Sequence, residues 1–138
     1  MKVLFTSCFL FATILLFAQQ PIPIDARLLE VYDQTYLEQL QTDNPFLLKR
    51  LNFYLDNAWY LSDYPEEKGA ADFPVVQVSD IESINILLLE KEQGLRKDFQ
   101  KEVVYSINGT RKVLIYRSGR EFNSLLNVHL ERVYPQSN

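Results

Sequence analysis

The segment that most constrains the fold of this chain is EVVYSINGTRKVLIYRS, at residues 102–118. Two runs rich in β-branched and aromatic residues flank Asn108 and Gly109, and an Asn-Gly pair in that setting is a strong signal for a β-hairpin. Helical periodicity dominates much of the remaining sequence. The combination indicates an α+β protein rather than an all-α one.

The register of this hairpin has two options. A two-residue turn pairs Tyr105 with Lys112, whereas a three-residue loop that ends in a bulge pairs Tyr105 with Val113. We favour the second option, in which Val103 also pairs with Ile115, because it gathers apolar residues on one face of the sheet.

Two helices are predicted before the hairpin. Asp25 is a suitable N-cap for the first, and Asn44 followed by Pro45 is typical of the start of the second. The short connection between them favours an antiparallel helical hairpin. The apolar residues at helical spacing are Leu28, Leu29, Tyr32, Tyr36 and Leu40, then Leu47, Leu51, Tyr54, Leu55 and Ala58.

Residues 80–93 carry conflicting signals. Ser79 and Glu82 have the spacing of a capping box, and Gly94 is suited to the end of a helix. Apolar residues nevertheless alternate as in a strand, so we expect a helical turn near 80–83 and then a strand. The alternating residues are Ile84, Ile86 and Leu88.

The remaining elements complete the predicted fold. Residues 74–80, PVVQVSD, start as a strand, and Ser118 with Glu121 forms a capping box for a C-terminal helix. We expect one α+β domain in which an N-terminal helical hairpin packs on a small, mainly antiparallel sheet with a C-terminal helix. The apolar face of that last helix comprises Phe122, Leu125, Leu126, His129 and Val133.

Residues 1–18, MKVLFTSCFLFATILLFA, have the organisation of a secretory signal peptide. The apolar run after Lys2 is too short to span a bilayer, which takes roughly 20 apolar residues. We expect cleavage after Ala18, although the bulky Leu16 leaves the exact site open, and an uncleaved anchor is the alternative. The domain at 19–138 is then exported to the periplasm or outer cell envelope of a Gram-negative bacterium, without a stable membrane span.

Few residues suited to catalysis remain after such cleavage. The single cysteine, Cys8, lies in the signal peptide, so the mature chain is disulfide-free. The single histidine, His129, has apolar neighbours at helical spacing and is expected at the edge of the core. Zinc sites need several ligands, and GxSxG and phosphate-binding glycine motifs are absent from the sequence. We expect no catalytic residue, metal site or cofactor, with a hydrolase that uses unmarked carboxylates as an alternative.

Charge is distributed unevenly along the chain. Residues 19–72 hold four basic and ten acidic residues, whereas residues 91–120 hold eight basic and three acidic ones. This asymmetry indicates a binding face. An acidic, exported chain lacks the signature of a nucleic-acid-binding protein, so we expect no nucleic-acid partner.

The aromatic segment FYLDNAWYLSDYP, residues 53–65, is the other candidate for binding. Core packing is the first interpretation, because aromatic residues dominate cores. The alternative is an exposed platform, since Tyr and Trp are enriched in interfaces. The candidate contact residues are Trp59, Tyr60 and Tyr64, with Arg111, Lys112 and Arg117 as a second patch.

Two stretches carry a resemblance to known proteins. LLFAQQ, at residues 15–20, resembles the end of signal peptides from Bacteroidota-type bacteria, and INGTRKVLIYRSGREF, at residues 107–122, is similar to the C-terminal part of short uncharacterised exported proteins of these bacteria. The resemblance implies an envelope location and no particular activity. We expect a non-enzymatic accessory protein that contacts another envelope protein; a small-ligand or glycan-binding domain is the alternative.

Overall fold

The computed structural model describes residues 21–65, 67–68 and 72–136, so the predicted signal peptide and Cys8 lie outside the described residues. The described chain begins with a 3-10 turn, Ala26–Glu30, and continues with four α-helices and four strands. The helices are α1 (Gln34–Asp43), α2 (Pro45–Asn57), α3 (Ile86–Gln93) and α4 (Gly119–Val133). The strands are β1 (Trp59–Asp63), β2 (Val75–Val76), β3 (Val103–Ile107) and β4 (Lys112–Tyr116).

The four strands form one mixed sheet in the order β1-β4-β3-β2. The central pairings, β1 with β4 and β3 with β4, are antiparallel, and the short β2 runs parallel to β3. The α+β class is confirmed, with α1 and α2 as the N-terminal helical hairpin and α4 as the C-terminal helix. Among the described residues, no helix combines the length and the apolar content needed to cross a bilayer.

The hairpin of β3 and β4 forms as predicted, but both register options are wrong. Tyr105 pairs with Leu114, and Val103 pairs with Tyr116. The strands are therefore joined by residues 108–111, a longer connection than either option allowed. The shift of one residue from the favoured register places Val113 on the face opposite Tyr105.

The longer connection reflects both the conformation of the turn and its contacts with the neighbouring edge strand. Gly109 has a φ of 65°, whereas Asn108 has no positive φ, so the turn lacks the two left-handed residues of a type I′ connection. Asn108 is instead held by the edge of the sheet. Its backbone N–H donates to the carbonyl of Val76 at 3.2 Å, and its side-chain Oδ1 accepts from the N–H of Val78 at 2.7 Å.

The strand that we expected after residue 83 is wrong, because the chain forms helix α3 there. Asn85 is the N-cap, with Oδ1 accepting from the N–H of Leu88 at 3.3 Å, and Gly94 ends the helix in the left-handed region at φ 62°. The adjacent residues Ile86 and Leu87 are both buried, which a helix that faces the core permits and a strand with only one face on the core does not.

The first predicted helix is divided into two elements. Asp25 caps only the 3-10 turn, through a hydrogen bond from the N–H of Arg27, and α1 starts after a break at residues 31–33. Leu37 is consequently buried in place of Tyr36, which is exposed. Strand β1, which follows α2 almost directly, was not predicted at all.

The core lies between one face of the sheet and the helices. Fully buried Leu114 and Tyr116 of β4 belong to the same hydrophobic cluster as Leu48 and Leu55 of α2. A smaller cluster joins Phe122 and Leu126 of α4 to the end of α2. Helix α2 therefore contacts both clusters and fixes the position of α4 against the sheet.

Candidate functional site

The aromatic residues of β1 do not form one platform. Trp59 and Tyr60 are consecutive strand residues, so their side chains lie on opposite faces of the sheet. Trp59 packs against the core, and its indole Nε1–H donates to the carbonyl of Leu55 at 2.7 Å. Its polar group is thus already satisfied inside the protein.

Tyr60 and Tyr64 lie on the outer face and are engaged there. The Tyr60 hydroxyl donates to Glu102 at 3.0 Å, and the guanidinium carbon of Arg117 lies 4.7 Å from its ring centroid. The Tyr64 hydroxyl shares a hydrogen bond of 2.8 Å with the buried Ser106. Both tyrosines are half-buried rather than fully presented to solvent.

The three basic candidates lie at two ends of β4. Arg111 is exposed in the hairpin connection, and Lys112 forms an ion pair of 3.1 Å with Asp63. Arg117 lies roughly 17 Å further along the strand. There it donates to the carbonyl of Asn57 and to the Glu121 carboxylate at 2.6 Å. Arg117 is therefore separate from the other two basic residues.

Arg117 instead belongs to a cleft of about 210 Å³ between α2, residues 97–99 and the start of α4, which we call the cationic cleft. Among the described residues, a single carboxylate, that of Asp98, is part of its lining. The cationic lining residues are Arg50, Lys97 and Arg117, and the aromatic ones are Tyr54, Phe99 and Phe122.

Local structure explains how these residues meet. Arg50 and Tyr54 are four residues apart on α2, so they lie on one face of the helix. On the other side, the N–H of Gly119 donates to the carbonyl of Asp98 at 3.0 Å and holds residues 97–99 against α4. The contact is tight, since a Cβ at Gly119 would lie 2.7 Å from Cδ2 of Phe99.

The three cations differ in how far they are already paired. Arg117 has Glu121 as a carboxylate partner, and Lys97 lies 3.4 Å from Glu90. Arg50 donates to the neutral amide oxygen of Asn123 at 2.9 Å, and within the described ranges no carboxylate lies at ion-pair distance from it. Arg50 is therefore the cation most available to an incoming anion.

A polar cluster lies directly behind the cleft. The Tyr54 hydroxyl donates a short hydrogen bond to Glu90, and burial together with this bond raises the pKa of Tyr54. Tyr116 is fully buried, and its hydroxyl has no hydrogen-bond partner among the described residues. Burial raises the pKa of Tyr116, and the nearby Glu90 charge raises it further although the two groups are not in hydrogen-bonding geometry.

A second, larger cleft of about 890 Å³ lies between the 3-10 turn, residues 77–85 and α3, and we call it the acidic cleft. Trp59 forms part of its wall. The one cation that lines it within the described ranges, Arg27, is held by Asp25 and Asp56 at 2.8 and 2.7 Å. No group of three metal-ligating side chains occurs in the described part of the chain. The lining carboxylates are Glu30, Asp56, Asp80, Glu82 and Glu92.

Of the residues that line the cationic cleft, the sequence pattern singled out Arg117 alone as a binding candidate. Lys97 lay within the basic segment 91–120, which was a signal of composition and not of position. The spacing of four residues between Arg50 and Tyr54, which places both on one face of a predicted helix, was also visible in the sequence. Phe99, which is 57% exposed, had no local signal.

Comparison with known proteins gives no family for this chain. No protein-family model, no curated protein and no solved structure matches it. The resemblance to short exported bacterial proteins therefore stays an expectation, and function has to be argued from the two clefts.

Proposed function

We propose that this chain is a non-enzymatic accessory protein of the bacterial cell envelope that acts by binding another protein at the cationic cleft. The observation that carries the proposal is the meeting of Arg50, Lys97 and Arg117 with three aromatic rings in one small depression. Arginine and aromatic residues, phenylalanine included, are enriched in the buried centres of protein interfaces, and Arg and Tyr are among the residues that dominate binding energy there. The predicted signal peptide at residues 1–18 supports the envelope location.

The size of the cleft favours an anchoring side group over a whole small molecule. Sites for drug-sized ligands have volumes of roughly 300–1,000 Å³, whereas this cleft has about 210 Å³. A depression of that size suits the insertion of one residue from a partner surface.

The rim of the cleft offers apolar surface for such a contact. Phe99 is 57% exposed. Burial of a phenylalanine ring removes roughly 150–250 Å² from water, so covering the exposed part stabilises a complex by roughly 2–3 kcal/mol. Together with the uncompensated charge of Arg50, this surface favours a partner group that is both apolar and anionic.

The experiment that tests the proposal is capture of partners by the tagged mature protein from the cross-linked envelope of its native host. Proteins captured by the wild type are compared, by quantitative mass spectrometry, with those captured by Arg50→Glu and by Arg111→Glu. Arg111 is the matched control, because it carries the same charge and lies in the exposed hairpin connection.

We expect a stoichiometric partner that is lost with Arg50→Glu and retained with Arg111→Glu. Circular dichroism of both variants checks that the fold is intact. Loss with Arg111→Glu alone would move the contact to the hairpin connection, and equal capture by all three proteins would contradict the proposal.

The acidic cleft favours a second candidate function, a small-ligand or glycan-binding domain. Its volume of about 890 Å³ lies within the range of small-molecule sites, and Trp59 offers an aromatic face beside polar groups. Trp59 is the single tryptophan, so its fluorescence reports on this cleft directly. Saturable changes of emission in a screen of glycans and small cations would support this function, and their absence would count against it.

A further inference from the structure

The cationic cleft combines two recognition chemistries at very short range. Arg50 lies with its guanidinium carbon 5.0 Å from the ring centroid of Phe122, and the Lys97 ammonium lies 4.6 Å from the ring centroid of Tyr54. Charge and apolar surface are therefore interleaved and not segregated. A group that fills the cleft has to present an anion and an apolar body on adjacent atoms.

The volume limits that group to about one residue. A water molecule occupies about 30 Å³ of the liquid, so a cleft of about 210 Å³ holds roughly seven atoms of that size. An aspartate or glutamate side chain supplies the anion without an apolar body. An internal leucine or phenylalanine supplies the apolar body without the charge.

The C-terminal residue of a polypeptide meets both requirements, because its carboxylate and its side chain share one α-carbon. We infer that the cationic cleft takes the C-terminal residue of the partner protein, with the carboxylate at Arg50 and Lys97 and an apolar side chain against Phe99 and Phe122. Capture of terminal carboxylates is an established mode of peptide recognition. This inference rests on the proposed protein-binding function and names the part of the partner that the cleft recognises.

The two cations have different roles in this arrangement. Arg50 has a planar guanidinium with several N–H donors, of which Nη1 is directed to Asn123, so the remaining donors are available for a carboxylate. Lys97 is 45% exposed and already lies 3.4 Å from Glu90, so it supplies a point charge that is partly compensated. Arg117 is paired with Glu121 and is a further lining residue of the cleft.

The test uses fluorescein-labelled hexapeptide pools that differ only in their last residue, each prepared as a free acid and as a C-terminal amide. Binding to the mature protein is measured by fluorescence anisotropy. We expect free-acid peptides that end in Leu, Val or Phe to bind most tightly. Amidation is expected to weaken binding at least tenfold, because it removes the charge that Arg50 and Lys97 recognise.

Variants locate the binding within the molecule. Arg50→Gln and Phe99→Ala are each expected to weaken binding of the free-acid peptides at least tenfold. Arg132→Gln, at an exposed position near the end of α4 and outside the cleft, is expected to leave that binding unchanged. Arg50→Lys keeps the charge but loses the planar donor group, so an intermediate loss is expected.

The outcomes separate the inference from the proposal on which it rests. Equal binding of acid and amide peptides, with sensitivity to Arg50→Gln, overturns terminal-carboxylate recognition and leaves protein binding in place. Equal affinity for isovalerate or phenylacetate alone shows that a free small acid suffices and also overturns the inference. Failure of every pool overturns it too, while the Arg50-dependent capture from the envelope decides the proposed function separately.

Discussion

Two tyrosines beside Glu90, the half-buried Tyr54 and the fully buried Tyr116, give a sharp prediction about stability. The hydroxyl of Tyr54 donates to the Glu90 carboxylate, whereas that of Tyr116 is buried without a partner among the described residues. A hydrogen bond to a charged group contributes roughly 1.5–3 kcal/mol to stability. We therefore expect Tyr54→Phe to lower the free energy of unfolding by about 2 kcal/mol.

The same physics predicts the opposite behaviour for Tyr116→Phe. Burial of a hydroxyl without a hydrogen bond costs roughly 1–3 kcal/mol in proteins, so its removal relieves that cost and leaves only a small gap. We expect a free energy of unfolding that is unchanged or up to about 1 kcal/mol higher. The two substitutions are chemically identical, which removes differences in side-chain size from the comparison.

The assay is equilibrium unfolding in urea, followed by circular dichroism. With a slope of about 2 kcal/mol per molar for a domain of this size, Tyr54→Phe shifts the midpoint down by about 1 M and Tyr116→Phe shifts it by less than about 0.5 M upward. Tyr36→Phe is the control, because Tyr36 is exposed and its substitution is expected to change stability by less than about 0.5 kcal/mol. Equal destabilisation by Tyr54→Phe and Tyr116→Phe would refute the reasoning.

Three further predictions follow from the same contacts. Because the pKa values of Tyr54 and Tyr116 lie above the ordinary 10.0, the folded state keeps protons that the unfolded state loses. Each of these tyrosines therefore makes the free energy of unfolding fall above about pH 10, by up to about 1.4 kcal/mol per pH unit. Urea midpoints at pH 9 to 11 should fall less steeply in Tyr116→Phe than in the wild type, since the raised pKa values of Tyr32 and Tyr60 are common to both proteins. Gly119→Ala, whose Cβ would lie 2.7 Å from Cδ2 of Phe99, should displace that ring. Partner capture should weaken at a temperature at which the variant is still folded. Trp59 packs against the core and is half-buried at the wall of the acidic cleft, so it should emit at blue-shifted wavelengths and be only partly quenched by acrylamide; fully red, freely quenchable emission would contradict its placement.

The elements that the sequence predicted best begin at local capping groups. Asn44 accepts from the N–H of Leu47, and Ser118 accepts from the N–H of Glu121, both within a single turn of their own residue. Such bonds depend on neighbours in sequence, so the pattern of residues suffices to predict them. Asn85 is an equally local cap, but the alternation of apolar residues around it is also typical of a strand, and the helix was therefore not predicted.

The hairpin register depended on distant contacts. Asn108 is held by the backbone of Val76 and Val78, about 30 residues earlier in the chain. A local pattern of residues contains no information on which edge strand will lie beside the turn. The break between Glu30 and Gln34 was not predicted from the periodicity of apolar residues either. Next to it, Arg27 joins the 3-10 turn to Asp56 of α2, a contact between residues far apart in the chain.

The cationic cleft could not be predicted from the sequence for a related reason. Composition gives the number of charged residues. Whether a charged side chain is available to a ligand depends on its ion pairs within the protein, and those pairs are set by the fold. Lys112 is paired with Asp63 across the sheet, whereas Arg50, which nothing in the pattern singled out, has only an amide partner within the described residues. The basic segment 91–120 therefore does not act as one patch, and its Lys97 contributes to a site completed by α2.

Helix α2 links the stability of the protein to its candidate site. One face of α2 places Leu48 and Leu55 in the core, and another places Arg50 and Tyr54 at the cleft. Tyr54 acts on both, since its ring lines the cleft and its hydroxyl binds Glu90. A loss of binding in a Tyr54 variant would thus combine the effect of lower stability with the effect of a lost contact to the partner. Among the described residues, Arg50 is held by a hydrogen bond to Asn123 and a ring contact alone, so its substitution separates recognition from stability, and for that reason the binding experiments depend on it.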